Sequence, residues 1–369
     1  MHKLFQNLIP YLFILTGLLF SCQKDGKGNL ECDMDSSLDG ITQRDFKMGF
    51  STWPYASGQS ARQNTYQFIA QNGDIYSEKL DDKIPWNSWL NGTPLPSEFI
   101  LDIQTRKGLR PPGIPLILSA SPFNTRRDNL APDYNDSIPS YSNVSDSIIE
   151  HAYFLHLSHL IDEFIPDYMI ISIEVNEFLL NNIQQWGEYK KLIANIRMRL
   201  KDAYPDLPLS ESVTLHNWFG LPEDIVREIS THAQQSDFVS LSFYPYLIGL
   251  NNKNGFEEAF QLLHNRITKP IAFVETGHIA EDLELAGLNF LIRGDICQQK
   301  DYLEVLLTNA HQNNYEFVIW WTHRDFDELL ETFPADQREI GRIWRDTGLI
   351  DEKGNERPAF EVWLKIFEK

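Results

Sequence analysis

Short apolar runs rich in β-branched and aromatic residues alternate along this chain with longer segments of helical periodicity. Near-continuous apolar runs such as 168–173 are typical of strands that are buried on both faces. An alternation of strands with helices favours a parallel sheet. The eight predicted strands cover 46–51, 74–77, 114–119, 168–175, 207–215, 237–244, 270–275 and 316–321.

The intervening segments are predicted to be amphipathic helices. The clearest covers 187–203, where apolar residues recur at three- and four-residue spacing before Pro205. Another begins after Ser145, a suitable N-cap residue. Residues 45–369 are enough for one (β/α)8 TIM barrel, which uses about 250 residues or more. We therefore predict an α/β fold with a single barrel domain.

The N-terminus combines a basic start with an apolar run from Leu8 to Phe20. This run is too short to span a bilayer, which needs roughly 20 residues. Its ending at Cys22 resembles the lipobox of bacterial lipoproteins. The resemblance implies a signal peptide over 1–21, a lipid on Cys22 and a lipid-anchored location in the bacterial cell envelope, with the membrane face left open. An ordinary signal peptide with a chance cysteine is the alternative.

Residues 22–44 are rich in Gly, Asp, Ser and Lys, and this composition predicts a flexible tether. The two cysteines other than Cys22 are Cys32 and Cys297, and their spacing indicates neither a disulfide framework nor a metal site. The net charge of −20 disfavours nucleic acid as a partner and favours a neutral ligand. We expect no metal, no cofactor and, although the oligomeric state stays open, a monomer.

Two predicted strands end close to glutamates, one near Glu177 and one at Glu275. A carboxylate at the end of a buried run is costly to desolvate, so the two runs suggest that both carboxylates meet in one site. As alternatives, Glu177 could serve only the helix dipole and Glu275 a structural ion pair. Glu174 is a rival to Glu177, because strict alternation places it on the opposite face of the strand. We keep Glu177 and assign Glu174 a supporting position in the barrel mouth.

This layout resembles clan A of the glycoside hydrolases, which are (β/α)8 barrels with an asparagine–glutamate pair after strand four and a glutamate ending strand seven. The matching residues here are Asn176 with Glu177, and Glu275. The run 236–247 resembles the Ser-x-Tyr-Pro run of the arabinogalactan endo-β-1,4-galactanases. The resemblance implies a retaining hydrolase of polysaccharides or oligosaccharides, with Glu275 as nucleophile and Glu177 as acid/base.

The same resemblance implies further roles at the site. Asn176 would bind the sugar 2-hydroxyl, Tyr244 would hydrogen-bond the nucleophile, and Trp320 with Trp321 would form a platform beneath the sugar. Their positions after predicted strands make Trp53, Trp86 and His216 additional candidates for sugar contacts.

The sequence places no arginine beside the nucleophile, although many clan members have one. A carbohydrate-binding lipoprotein without turnover and a structural envelope protein are the alternatives to an enzyme. The sugar, the linkage and the choice between internal and terminal cleavage are left open.

Overall fold

The computed structural model describes residue 32 and residues 36–285 and 290–369. The expected signal peptide, Cys22 and most of the tether lie outside the described residues. Among the helices that the structure describes, none is long and apolar enough to cross a membrane.

Nine parallel strands form one sheet in the order β5-β4-β3-β2-β1-β11-β8-β7-β6. The two ends of this order, β5 and β6, are halves of one barrel strand interrupted at Glu211, so the sheet closes on itself. This confirms the predicted (β/α)8 barrel. A small antiparallel hairpin, β9 with β10, follows the seventh barrel strand. The strands are β1 (Lys47–Ser51), β2 (Ile75–Leu80), β3 (Leu116–Ala120), β4 (Tyr168–Ile170), β5 (Leu209–Ser210), β6 (Ser212–Thr214), β7 (Val239–Phe243), β8 (Ile271–Thr276), β9 (Leu283–Leu285), β10 (Phe290–Ile292) and β11 (Phe317–Trp320).

Helices connect the barrel strands, and short 3-10 turns lie at Ser36–Gly40, Ile183–Gln185, His216–Trp218 and Pro245–Ile248. The predicted helix over 187–203 is present, and its apolar stripe is buried. The helices are α1 (Gln59–Asn72), α2 (Trp86–Asn91), α3 (Ser97–Leu109), α4 (Ser147–Phe164), α5 (Val175–Asn181), α6 (Trp186–Ala203), α7 (Glu223–Ala233), α8 (Lys253–His264), α9 (Ile296–Gln312), α10 (Asp327–Leu330), α11 (Ala335–Arg345) and α12 (Pro358–Phe367).

Three boundaries differ from the prediction. Strand β2 continues to Leu80, three residues beyond the predicted end. Strand β4 stops at Ile170, and the chain bends before it enters α5. Helix α4 is capped by Asp146 rather than by Ser145, since the Asp146 carboxylate accepts a hydrogen bond from the Ile148 N–H at 3.2 Å.

The barrel interior is apolar at its base and polar at its mouth. Inward-facing residues of five strands form the apolar layer, among them Ile75, Ile117, Ala272, Phe317 and Ile319. The alternate residues face the surrounding helices, where a larger core fills the space between sheet and helices. The mouth therefore receives the side chains that follow the apolar layer along each strand.

The end of the expected tether packs against the barrel. Leu38 and Ile41 are buried, and the Lys369 Nζ donates to the Leu38 carbonyl oxygen at 2.9 Å. Cys32 forms a disulfide with Cys297 in the first turn of α9. The two cysteines lie 265 residues apart, so their spacing alone does not indicate this pairing.

Candidate active site at the barrel mouth

A polar cavity lies at the C-terminal ends of the barrel strands. Four serines, Ser77, Ser119, Ser212 and Ser242, line it together with Lys79, Glu174 and Glu275. Active sites of (β/α)8 barrels are built at this end of the sheet. The small serine side chains leave room above the apolar layer, while the charged groups supply the chemistry.

Glu275 reaches this cavity through an irregularity in β8. Leu241 pairs with Phe273, but the next residue of β7, Ser242, pairs with Glu275, so β8 carries one extra residue at Val274. A bulge of this kind re-aims the side chain that follows it. Both Val274 and Glu275 consequently line the cavity, although strict alternation would place them on opposite faces.

The Glu275 carboxylate is held by two donors. The Tyr244 hydroxyl donates to Oε1 at 2.7 Å, and the Lys79 Nζ lies 3.0 Å from Oε2. The contact expected of Tyr244 is therefore present. Lys79 is not among the residues expected at the site, but the alternation of Ile75, Ser77 and Lys79 along the full length of β2 places its side chain in the mouth.

Glu174 enters the same cavity from the end of the fourth barrel strand. Its backbone is left-handed, with φ 53° and ψ 47°, and its N–H donates to the Ser212 Oγ at 2.9 Å. The Ser242 Oγ donates to the Glu174 Oε1 at 3.0 Å. Burial alone raises the pKa of Glu174, but the positive charges of Lys79 and Arg127 bring that pKa below its usual value.

Glu177 lies three residues further on, in the first turn of α5. Its Oε1 accepts hydrogen bonds from the Asn217 side-chain amide and from the Thr214 Oγ at 3.4 Å. Burial, and secondly the negative charge of Glu174, raises the pKa of Glu177 to about 7. Within the described part of the chain, the cavity lining includes Glu174 and Glu275 but not Glu177.

Asn176 is fully buried, and its side-chain amide makes its hydrogen bonds to one residue, Thr214. Its side-chain N–H groups donate to the Thr214 carbonyl oxygen at 2.9 Å and to the Thr214 Oγ at 2.7 Å, while its Oδ1 accepts from the Thr214 N–H at 2.8 Å. No amide group of Asn176 is therefore left for a sugar hydroxyl, contrary to the expected contact. The residue instead joins α5 to β6.

Two further charged residues, Asp81 and Arg127, complete the mouth. The Arg127 Nη2 lies 3.0 Å from the Asp81 Oδ2 and 3.5 Å from the Glu174 Oε2. Arg127 is almost fully buried, and it comes from the loop after β3. Because that loop has no regular periodicity, its sequence does not indicate which of its charges turns inward.

Two tryptophan rings lie close to Lys79 at the barrel mouth. The Trp53 and Trp321 rings lie 5.0 Å apart, and the Lys79 Nζ is 5.9 Å from the Trp321 ring centroid. Both tryptophans are partly exposed, and neither indole N–H has a partner in the described chain. Flat apolar ring faces of this kind suit contacts with sugar rings.

Two other predicted sugar contacts are wrong. Trp320 is fully buried and donates from Nε1 to the Thr347 carbonyl oxygen at 2.8 Å. It faces the helices because Phe317 and Ile319 occupy the inward positions of β11, which leaves Trp321 to face the mouth. Trp86 is 1% exposed and donates to the Ala131 carbonyl oxygen at 2.7 Å, so it too belongs to the core.

His216 lies beside the acidic end of the site. Burial lowers its pKa to about 4, although the negative charge of Glu174 acts in the opposite direction. Its Nδ1 has no hydrogen-bond partner in the described chain. A neutral imidazole is therefore available near Glu174, as its position after the fifth barrel strand suggests.

Two acidic clusters lie outside this site, and within each cluster the carboxylate oxygens come within 4.8 Å of one another. Arginines already supply positive charge to both. Arg357 donates to the two Asp325 oxygens at 2.9 and 2.6 Å, and Arg345 lies 2.6 Å from Asp346. The clusters are Glu281, Asp325, Glu352 and Asp325, Asp327, Asp346.

Comparison with known proteins finds likeness in structure only. No family model and no curated protein matches the chain. A GH5_18 protein from Bifidobacterium longum, solved in complex with Manb1-4GlcNAc, superposes with a TM-score of 0.61 at 13% identity, covering 88% of this chain and 78% of that one.

Two further similar structures come from other glycoside hydrolase families. The GH53 catalytic domain of Ignisphaera aggregans gives a TM-score of 0.55 at 14% identity, covering 87% of this chain and 96% of that one. Xylanase 10B of Thermotoga maritima gives 0.57 at 12% identity, covering 90% and 96%. At the level of fold, the resemblance to clan A is confirmed.

Proposed function

We propose that this protein is a retaining glycoside hydrolase that cleaves a polysaccharide or oligosaccharide by double displacement. The observation that carries the proposal is that two glutamates, Glu174 and Glu275, line one polar cavity at the mouth of a clan A-like barrel. Retaining glycosidases use two carboxyl groups about 5–5.5 Å apart on either side of the scissile bond. The partly exposed Trp53 and Trp321 offer the sugar a surface at the same mouth.

Glu275 is the proposed nucleophile. Tyr244 and Lys79 fix its two oxygens, and both contacts orient the carboxylate. Glu275 would attack the anomeric carbon as the bond to the leaving oxygen breaks, forming a glycosyl ester. Water would then attack the same carbon and release Glu275.

For the acid/base we propose Glu174 in place of Glu177. Geometry is the first criterion for a proton donor, and Glu174 shares the cavity with Glu275. The pKa values argue the other way, since that of Glu177 is raised to about 7 and that of Glu174 is lowered. We give the geometry more weight, because a sugar and its leaving group in the mouth exclude water and alter the charges around Glu174.

The net charge of −20 favours an uncharged glycan as the substrate. We also propose that the protein is exported and anchored by a lipid on Cys22. The disulfide between Cys32 and Cys297 supports export, because such bonds persist in oxidising compartments.

Identification of the glycosyl ester would test the mechanism. The purified protein would be assayed on β-1,4-galactan, β-1,4-mannan and β-1,4-xylan, and treated with the matching 2-deoxy-2-fluoroglycosyl fluorides. We expect mass spectrometry to find the label on Glu275, and the released sugar to keep its anomeric configuration by NMR. Inversion, or a label on another residue, would overturn the assignment.

Azide rescue separates the two acid/base candidates. In Glu174→Gln, hydrolysis of dinitrophenyl glycosides should respond to azide and give a glycosyl azide of retained configuration, because this leaving group needs no proton. Glu275→Gln should not yield that product. Rescue of Glu177→Gln instead of Glu174→Gln would restore the assignment made from the sequence.

The second candidate function is carbohydrate binding without turnover. The ion pair of Glu174 with Arg127 favours it, since a carboxylate kept ionised cannot donate a proton. Saturable binding of one of the three polysaccharides, with no product after prolonged incubation and no labelling of Glu275, would support this function.

A further inference from the structure

An unbroken series of alternating charges crosses the barrel mouth. It runs from Glu174 to Arg127 (3.5 Å), to Asp81 (3.0 Å), to Lys79 (4.0 Å) and to Glu275 (3.0 Å). The two cations come from β2 and from the loop after β3, and Asp81 lies between them. Each catalytic carboxylate is thus at one end of the series.

We propose that Lys79 is a positioning residue for the nucleophile, and that Asp81 and Arg127 connect it electrostatically to Glu174. This inference rests on the proposed function and adds three residues to its machinery. Lys79 fixes the Glu275 oxygen that Tyr244 does not hold. A lysine from β2 therefore lies beside the nucleophile, where many clan A members have an arginine.

Most of these charged side chains are largely buried, and burial strengthens the interactions between them. Glu275 and Asp81 each expose 14% of their side chains, and Arg127 exposes 3%. Charges removed from water interact strongly, and loss of one partner leaves the other uncompensated. The groups that face Glu275 are Lys79, Tyr244, Tyr246, Arg127 and, across the cavity, Glu174.

Lys79 has a direct contact with the nucleophile, so its loss should alter the acidic limb of the activity profile. Lys79→Met removes the positive charge that lies 3.0 Å from the nucleophile, and we expect the acidic limb of kcat/KM to move up by about one pH unit. We expect kcat/KM at pH 7 to fall roughly a hundredfold. Lys79→Arg keeps the cation and should restore the limb to within a few tenths of a pH unit.

Lys83→Met is the matched control. Lys83 lies four residues further along, and it pairs at the surface with Asp136 at 2.7 Å. Its replacement should leave both the activity and the pH profile unchanged. An unshifted acidic limb in Lys79→Met, or failure of Lys79→Arg to restore it, would overturn the proposal.

Thermal unfolding gives a readout that does not require turnover. Lys79→Met should lower Tm by roughly 5 °C or more at pH 8, and by less at pH 4, because carboxylates that have lost their cation can take up protons at the lower pH. The same loss at both pH values would show a packing role only and would contradict the proposal. Inactivity of the wild type on all glycans, with this pH-dependent loss present, would instead count against the proposed function.

Discussion

At the scale of single residues, Glu177 lies in an environment that disfavours its charged form. Its pKa is raised to about 7, so between the ordinary value of 4.5 and pH 7 the unfolded chain releases a proton that the folded protein keeps. This carboxyl therefore stabilises the fold at low pH, and the contribution is lost as pH rises toward 7. Replacement of Glu177 by a neutral side chain of the same shape should remove this loss of stability at high pH.

Glu177→Gln is accordingly expected to raise the free energy of unfolding at pH 8 by about 1–3 kcal/mol, with no gain at pH 4.5. Glutamine keeps an oxygen for Asn217 and Thr214. Denaturant unfolding at the two pH values measures the difference. Glu188→Gln is the control of opposite sign, because a hydrogen bond from Lys191 lowers the pKa of Glu188.

The sequence identified some single residues of the mouth but not the charges that surround them. Glu275 and Tyr244 follow long apolar strands, and such strands can be recognised from composition alone. Lys79 lies outside the predicted strand, because that strand ends at residue 77 and the observed β2 continues to Leu80. Arg127 comes from a loop, whose inward side chains depend on tertiary packing.

At the scale of elements, the bulge in β8 and the short helix α5 place the two ends of the cavity. The bulge turns Glu275 inward, and no period-two pattern contains it. Helix α5 begins at Val175, after the bend that follows β4, and its attachment to the barrel runs through Asn176 and Thr214. That attachment can be tested by removing the amide.

Asn176→Ala should cost about 2–3 kcal/mol of stability, since the buried N–H and carbonyl oxygen of Thr214 lose their hydrogen bonds to the amide. Chemical denaturation measures the cost, and Asn181→Ala, which alters a surface amide of the same helix, should cost under about 1 kcal/mol. A large rise in KM without a loss of stability would instead support the sugar contact implied by the resemblance.

At the scale of the whole molecule, the alternation of strands and helices was sufficient to predict the barrel. All eight predicted barrel strands are present, because strands buried on both faces carry a strong apolar signal. Closure of the sheet then follows from its order. The covalent link between Cys32 and Cys297 could not be predicted, since it depends on where the N-terminal segment packs.

Cys297→Ser should lower Tm by roughly 5–15 °C, because the disulfide closes a loop of 265 residues in the unfolded chain. Differential scanning calorimetry with and without reductant measures the effect. Cys32→Ser should behave alike, and neither variant should respond further to reductant. A variant as stable as the oxidised wild type would show that the link adds nothing to the fold.

The disulfide also limits how far the barrel mouth can lie from the proposed lipid anchor. Helix α9 follows β8, so its first turn and Cys297 lie on the rim that carries Glu275. Cys22 and Cys32 are ten positions apart, and the segment between them spans at most about 36 Å when fully extended. With the proposed lipid on Cys22, this segment would hold Cys297, and with it the catalytic rim, close to the bilayer. The glycans that the site can reach would then be those that come near the membrane surface.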